Sequence, residues 1–193
     1  MESFLVSTGV VAVAEIGDKT QLLALVLAAR FRKPVPIILG ILVATLANHG
    51  LAAWVGLLVA NWLGAEALRW ILGLSFLAMA VWIMIPDKVD DDEGATVGRY
   101  GPFIATVISF FLLEIGDKTQ IATIALAARF NDLIMVTAGT TLGMMLANVP
   151  AVLVGKAAAT AIPMKLVHAI AAIIFAALGV MALLNVGDVF AFE

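Results

Sequence analysis

The chain has 193 residues, 63% of them hydrophobic and only 13% charged, with a mean hydropathy of +1.11. A soluble domain of this length would have too little polar surface to cover so much apolar material, so soluble-protein classes are excluded and a polytopic membrane protein is expected. The net charge of −3 says little, because charge in a membrane protein matters by side, and the lack of cysteine rules out disulfides, thiolate metal sites and sulfur nucleophiles.

The apolar residues fall into six runs, most of them long enough to cross a hydrocarbon core about 30 Å thick, which takes about 20 helical residues. Met1-Glu2-Ser3 lacks the basic segment of a cleaved signal, so the first run, about Phe4 to Arg30, is expected to stay as a helix. It carries Ala14-Glu15-Ile16-Gly17-Asp18-Lys19-Thr20-Gln21 near its midpoint and ends at the basic turn of Arg30, Arg32, Lys33, Pro34 and Pro36. The second run, about Val35 to Ala60, holds Asn48-His49-Gly50. The third, about Ala67 to Ile85, has Arg69 near its start and no charge deeper in. Residues 86–101, with Asp87-Lys88-Val89-Asp90-Asp91-Asp92-Glu93, read as a solvated acidic linker without the spacing or bend glycine of an EF-hand loop.

The pattern then restarts. A fourth run, about Pro102 to Arg129, carries Leu113-Glu114-Ile115-Gly116-Asp117-Lys118-Thr119-Gln120; a fifth, about Leu133 to Val154, carries Asn148-Val149-Pro150; a sixth, about Met164 to Val186, is plainly apolar. Glu15 and Glu114 stand 99 positions apart, and the same offset maps Ala28-Ala29-Arg30-Phe31 onto Ala127-Ala128-Arg129-Phe130, Gly40 onto Gly139 and Gly56 onto Gly155. Matching Leu46-Ala47-Asn48 to Leu146-Ala147-Asn148 requires a slip of one residue. The expected fold is therefore all-α, with six transmembrane helices as two three-helix repeats, residues 1–85 and 102–193. Three is odd, so the repeats enter the membrane from opposite sides, the inverted plan of many secondary transporters. One side collects Arg30, Arg32, Lys33, Lys88, Arg99, Lys156 and Lys165, the other only Arg69 and Arg129. That imbalance places the linker in the cytoplasm and both termini outside.

Ionisable residues deep in a membrane are costly, by about 2.5–3.5 kcal/mol each on insertion scales, and by default mark function. Glu15, Asp18, Glu114 and Asp117 are the candidate metal ligands. Residues three or four apart share a helical face, so Glu15, Asp18 and Lys19 are expected side by side, as are Glu114, Asp117 and Lys118. Thr20, Gln21, Asn48, Thr119, Gln120 and Asn148 are candidate neutral ligands. Gly17 and Gly116 permit close helix approach or local unwinding. Four carboxylates and two lysines sum to −2, which one divalent cation neutralises, and an all-oxygen cage suits Ca²⁺, Mn²⁺ or Mg²⁺ better than Cu⁺ or Zn²⁺. With the cation gone, such a site takes up protons instead. Lys19 and Lys118 are then internal counter-charges or gates. The plainer alternative is that Glu15–Lys19 and Glu114–Lys118 are i,i+4 pairs that only pack the bundle; the duplication and the additional aspartate in each copy weigh against it. His49 has no histidine counterpart in the second half and reads as a packed or pore-facing side chain.

The paired Glu-Ile-Gly-Asp-Lys-Thr segments resemble the Glu-x-Gly-Asp-(Lys/Arg)-(Thr/Ser) hallmark of the Gdt family of membrane Mn²⁺/Ca²⁺ transporters, within the broader lysine-exporter superfamily, and the resemblance covers essentially the whole chain. It implies export of Mn²⁺, with Ca²⁺ as the other candidate, in exchange for H⁺, with the metal as substrate and no cofactor or nucleic acid. It also implies a bacterial-type member in the inner membrane. Competing readings are an exporter of another metal or an amino acid, a passive channel, or an intramembrane carboxylate enzyme. The amino-acid cargo is disfavoured by the lack of a midplane arginine, and the enzyme by Glu-Ile-Gly-Asp standing where such enzymes carry Gly-x-Gly-Asp.

Overall fold

The computed structural model describes residues 1–85, 101–154 and 164–186, and among them all regular secondary structure is helical. The helices are α1 (Glu2–Glu15), α2 (Lys19–Phe31), α3 (Pro34–Trp62), α4 (Ala65–Trp82), α5 (Pro102–Glu114), α6 (Lys118–Phe130), α7 (Leu133–Val154) and α8 (Met164–Leu184). The acidic linker, apart from Gly101, lies outside the described residues, as do Lys88, Arg99, Gly155 and Lys156. Four helices, α3, α4, α7 and α8, are individually long and apolar enough to cross a membrane.

The first and fourth apolar runs are not single helices. Each breaks inside its motif: α1 stops at Glu15 and α2 starts at Lys19, while α5 stops at Glu114 and α6 starts at Lys118. The expectation that Glu, Asp and Lys line one continuous helical face is thereby corrected. At 13 or 14 residues these helices are only about 20 Å long each, too short to cross a bilayer alone. The physical reason lies at glycine. Gly17 and Gly116 have φ of +86° and +78°, a left-handed region closed to most side chains but open to a residue without Cβ. The flanking residues match as closely: Ile16 and Ile115 are extended, and Asp18 and Asp117 hold the N-cap positions with ψ of 169° and 165°. α2 and α6 also end alike, on left-handed Arg32 and Asn131.

Packing across the halves repeats at the 99-residue offset. α5 lies on α3 and α1 on α7. A Cβ on Gly40 would stand 2.7 Å from Thr106 Cβ and 3.0 Å from the Phe103 carbonyl oxygen; one on Gly139 would stand 2.5 Å from the Phe4 carbonyl oxygen and 3.0 Å from Ser7. Phe4 and Ser7 are the 99-offset counterparts of Phe103 and Thr106. Lipid supplies no hydrophobic drive between helices, so contact depends on small residues that let backbones approach. The same device joins α4 and α8 through Gly73 and Gly179, beside the Phe76–Phe175 ring pair. Leu39, Val43, Leu74, Ile173 and other long apolar side chains face outward, as expected of a surface solvated by lipid.

Candidate metal and proton site

The two breaks meet in the interior. Glu15 and Glu114 are fully buried, and Asp18, Asp117 and Lys118 nearly so. One carboxylate oxygen from each of Glu15, Glu114 and Asp117 lies within 4.8 Å of the other two. Donors on opposite sides of one hard cation stand about 4–5 Å apart at ligand distances of about 2.0–2.6 Å, so one ion can reach all three. The first break contributes one of these carboxylates and the second contributes two.

The fourth carboxylate and both lysines are arranged crosswise. Lys19 Nζ is 3.0 Å from Asp117 Oδ1, and Lys118 Nζ is 3.3 Å from Asp18 Oδ1. Each lysine therefore bridges to the aspartate of the other motif, and not to the glutamate of its own as in the plainer packing alternative. The break explains this: it ends the helical register in which Glu15 and Lys19 would share a face. Neither aspartate caps its helix through its side chain, although both occupy the N-cap position. Their carboxylates are directed across the interface instead.

Thr20 Oγ1 donates to Glu15 Oε2, and Thr119 Oγ1 donates to Glu114 Oε2 at 3.1 Å. In both glutamates Oε1 is buried with no hydrogen-bond partner among the described residues. The glutamines brace the breaks. The Gly17 N–H donates to Gln21 Oε1 at 3.0 Å and the Gly116 N–H to Gln120 Oε1 at 2.7 Å. Their amide nitrogens reach across the interface, Gln21 Nε2 to the Ala147 carbonyl at 2.9 Å and Gln120 Nε2 to Asn48 Oδ1 at 2.7 Å. Asn48 also donates to the Phe111 carbonyl at 3.4 Å, and Asn148 donates to the Met144 carbonyl at 3.1 Å. Thr20, Thr119, Gln21, Gln120 and Asn48 are thus tied to motif groups or to adjoining backbone at the breaks, whereas Asn148 is bonded to Met144 on its own helix.

These crossing bonds also correct the register. Gln21 reaches residue 147 and Gln120 reaches residue 48, so position 48 corresponds to 147 at the unbroken 99-residue offset. No slip occurs: Asn48 is matched by Ala147, and His49 by Asn148. Gly40 and Gly56, which share that offset on either side, are the sequence signal for this. The carbonyls of Ala147 and Phe111 are parts of the site that side-chain letters do not reveal.

The chain is similar to known proteins over most of its length. Residues 3–91 and 102–188 match the family model described as "Divalent cation/proton antiporter GDT1". A Vibrio cholerae protein named "Putative manganese exporter" is 55% identical over 176 residues, covering 91% of this chain and 87% of its own. "GDT1-like protein 3" of Oryza sativa is 30% identical over 200 residues, covering 90% of this chain and 71% of its own. "GDT1-like protein sll0615" of Synechocystis is 32% identical over 183 residues, 86% and 88% of the two chains. No solved structure matches the chain.

Proposed function

Because the chain belongs to the GDT1 family of divalent cation/proton antiporters, we propose that it exports Mn²⁺ from the cytoplasm in exchange for protons, through one site shared by the two motif breaks. The observation that carries this reading is the convergence of Glu15, Glu114 and Asp117 within a single ion's reach. Ca²⁺ is the alternative cargo. The V. cholerae relative named for manganese favours Mn²⁺.

The chemistry follows from how each carboxylate is held. Asp18 and Asp117 carry lysine partners from the opposite half. Glu15 and Glu114 are held on one oxygen by a neutral hydroxyl and keep the other for an ion or a proton. An arriving divalent cation draws Asp117 toward itself and displaces Lys19. When the ion leaves, Lys19 returns and protons neutralise the glutamates. Because both lysine pairs cross between the halves, loading the ion loosens one of the two ties between them. That gives a direct link between occupancy and the relative movement of the halves that alternating access requires.

The architecture we propose is six spans in two inverted repeats, with α1–α2 and α5–α6 each forming one broken span. Matching backbone angles at both breaks and the mirrored glycine contacts support it. We place the transporter in the inner membrane, with residues 86–101 cytoplasmic and both termini outside, on the seven-to-two distribution of basic residues. Purified protein in liposomes with an imposed pH gradient tests the function. Mn²⁺ should accumulate against its own gradient only while the pH gradient stands, with Ca²⁺ weaker and Mg²⁺ weakest. Downhill flux indifferent to the pH gradient would make the protein a channel.

A further inference from the structure

His49 is fully buried on α3, and neither ring nitrogen makes a hydrogen bond among the described residues. Its Nε2 is 3.7 Å from Glu114 Oε2, the oxygen that also accepts from Thr119. That distance is too long for a hydrogen bond. Measured to Glu114, it falls within the span of about 3–4 Å between adjacent donors on one ion held at about 2.0–2.6 Å. His49 stands outside the trio that is mutually within 4.8 Å, so ligation beside all three requires a side-chain shift on loading. An imidazole buried without a partner is unfavourable and calls for an explanation. Its place in the repeat adds a second point. The motif letters from Glu15 to Gln21 recur identically from Glu114 to Gln120, yet the residue matching His49 is Asn148. The motif carboxylates are duplicated, whereas the adjoining pair Asn48 and His49 is matched by Ala147 and Asn148.

We propose that His49 supplies a single nitrogen ligand to the transported ion beside Glu114 and is the residue that favours Mn²⁺ over Ca²⁺ and Mg²⁺. Ca²⁺ and Mg²⁺ are bound almost wholly by oxygen; Mn²⁺ shares that preference for carboxylates but, as a first-row transition metal, also accepts an imidazole nitrogen. A carboxylate trio alone has little basis for rejecting Ca²⁺. One nitrogen added to it raises affinity for Mn²⁺ without a matching gain for the hard ions. The inference rests on the shared-site reading above and names the group that sets its cargo.

The test uses the full-length protein in detergent, loaded with one equivalent of Mn²⁺ and examined by pulsed electron paramagnetic resonance. Wild type should show ¹⁴N modulation from one imidazole, replaced by the ¹⁵N pattern when histidine is isotopically labelled, a readout that needs no variant. The chain has two histidines. His168→Gln should keep the modulation, and His49→Asn should lose it while its Mn²⁺-over-Ca²⁺ preference falls about tenfold or more. Bound Mn²⁺ without nitrogen modulation in wild type would overturn this inference and leave the shared carboxylate site standing. Modulation lost in His168→Gln and kept in His49→Asn would overturn it too. Failure of wild type to bind Mn²⁺ at all would overturn both readings.

Discussion

Lys19 and Asp117 meet at 3.0 Å across the boundary between the two halves of the chain, and the Asp18–Lys118 pair repeats that contact in the opposite direction at 3.3 Å. The halves are thus tied by one buried ion pair, Asp18–Lys118, and one half-buried at its lysine, Lys19–Asp117, at the same place where three carboxylates converge. Structure and transport depend on the same side chains, so variants here separate the two roles.

Breaking a buried pair by removing one partner leaves an uncompensated charge and costs about 3–5 kcal/mol, far more than removing both. Lys118→Met should therefore lower stability by about that amount, and adding Asp18→Asn should restore most of it. Thermal melts of the two single variants and the double variant in detergent check this. Strictly additive losses would mean the pair is not coupled.

The aspartates should differ. Asp117 belongs to the converging trio and Asp18 does not. Asp117→Asn should reduce Mn²⁺ affinity by about 10- to 100-fold, the loss of one charged contact of about 1.5–3 kcal/mol. Asp18→Asn should reduce affinity less and still block exchange, because it removes one of the two ion pairs that cross between the halves. Equilibrium binding and liposome exchange, measured on both variants, distinguish these effects; equal loss of binding in the two would contradict the assignment.

Gly17 and Gly116 should resist substitution for a conformational reason. Nothing lies within 4 Å of a Cβ built on Gly116, so alanine there is opposed by its φ of +78° and not by crowding. Gly116→Ala should cost about 1–2 kcal/mol and slow exchange, with Gly116→Asn milder because asparagine visits this region more readily. At Gly139 the obstacle is steric, so Gly139→Ala and Gly139→Asn should both be damaging, asparagine the more so. Exchange rates and melting temperatures for the four variants give the comparison.

Protons and metal compete for the same oxygens, which sets a sign for pH. As pH falls, protons occupy the carboxylates and apparent Mn²⁺ affinity drops, by up to about tenfold per pH unit for each proton displaced. Binding isotherms at a series of pH values should show weaker binding on the acid side. Affinity that rises on acidification would rule out shared occupancy.

The composition, the six apolar runs and the 99-residue repeat could all be read from the letters, because lipid imposes long apolar segments and duplication preserves spacing. The motif's local geometry is legible only as an option, since Gly17 and Gly116 permit either unwinding or close approach and the letters do not choose. A helical wheel places Lys19 beside Glu15, and only the positive φ at Gly17 shows that the wheel stops there. Glycine's dual use, for close approach at Gly40 and for a break at Gly17, looks the same in sequence. The crosswise lysine pairs follow from how the halves face each other, which no single segment encodes. His49 carried too little signal by itself. Its significance emerges once Gln21 and Gln120 fix the register and Glu114 is found at 3.7 Å.

One shared ion between the two breaks is the claim on which the rest depends, and the number of ions bound per chain tests it most directly. Equilibrium binding of radioactive Mn²⁺ to purified protein should give one ion per chain for wild type. Glu15→Gln and Glu114→Gln, each altering a different half, should both abolish binding at a Mn²⁺ concentration that just saturates wild type. Two ions per chain, or one remaining in either variant after loss of the other, would mean two independent sites and would contradict the account.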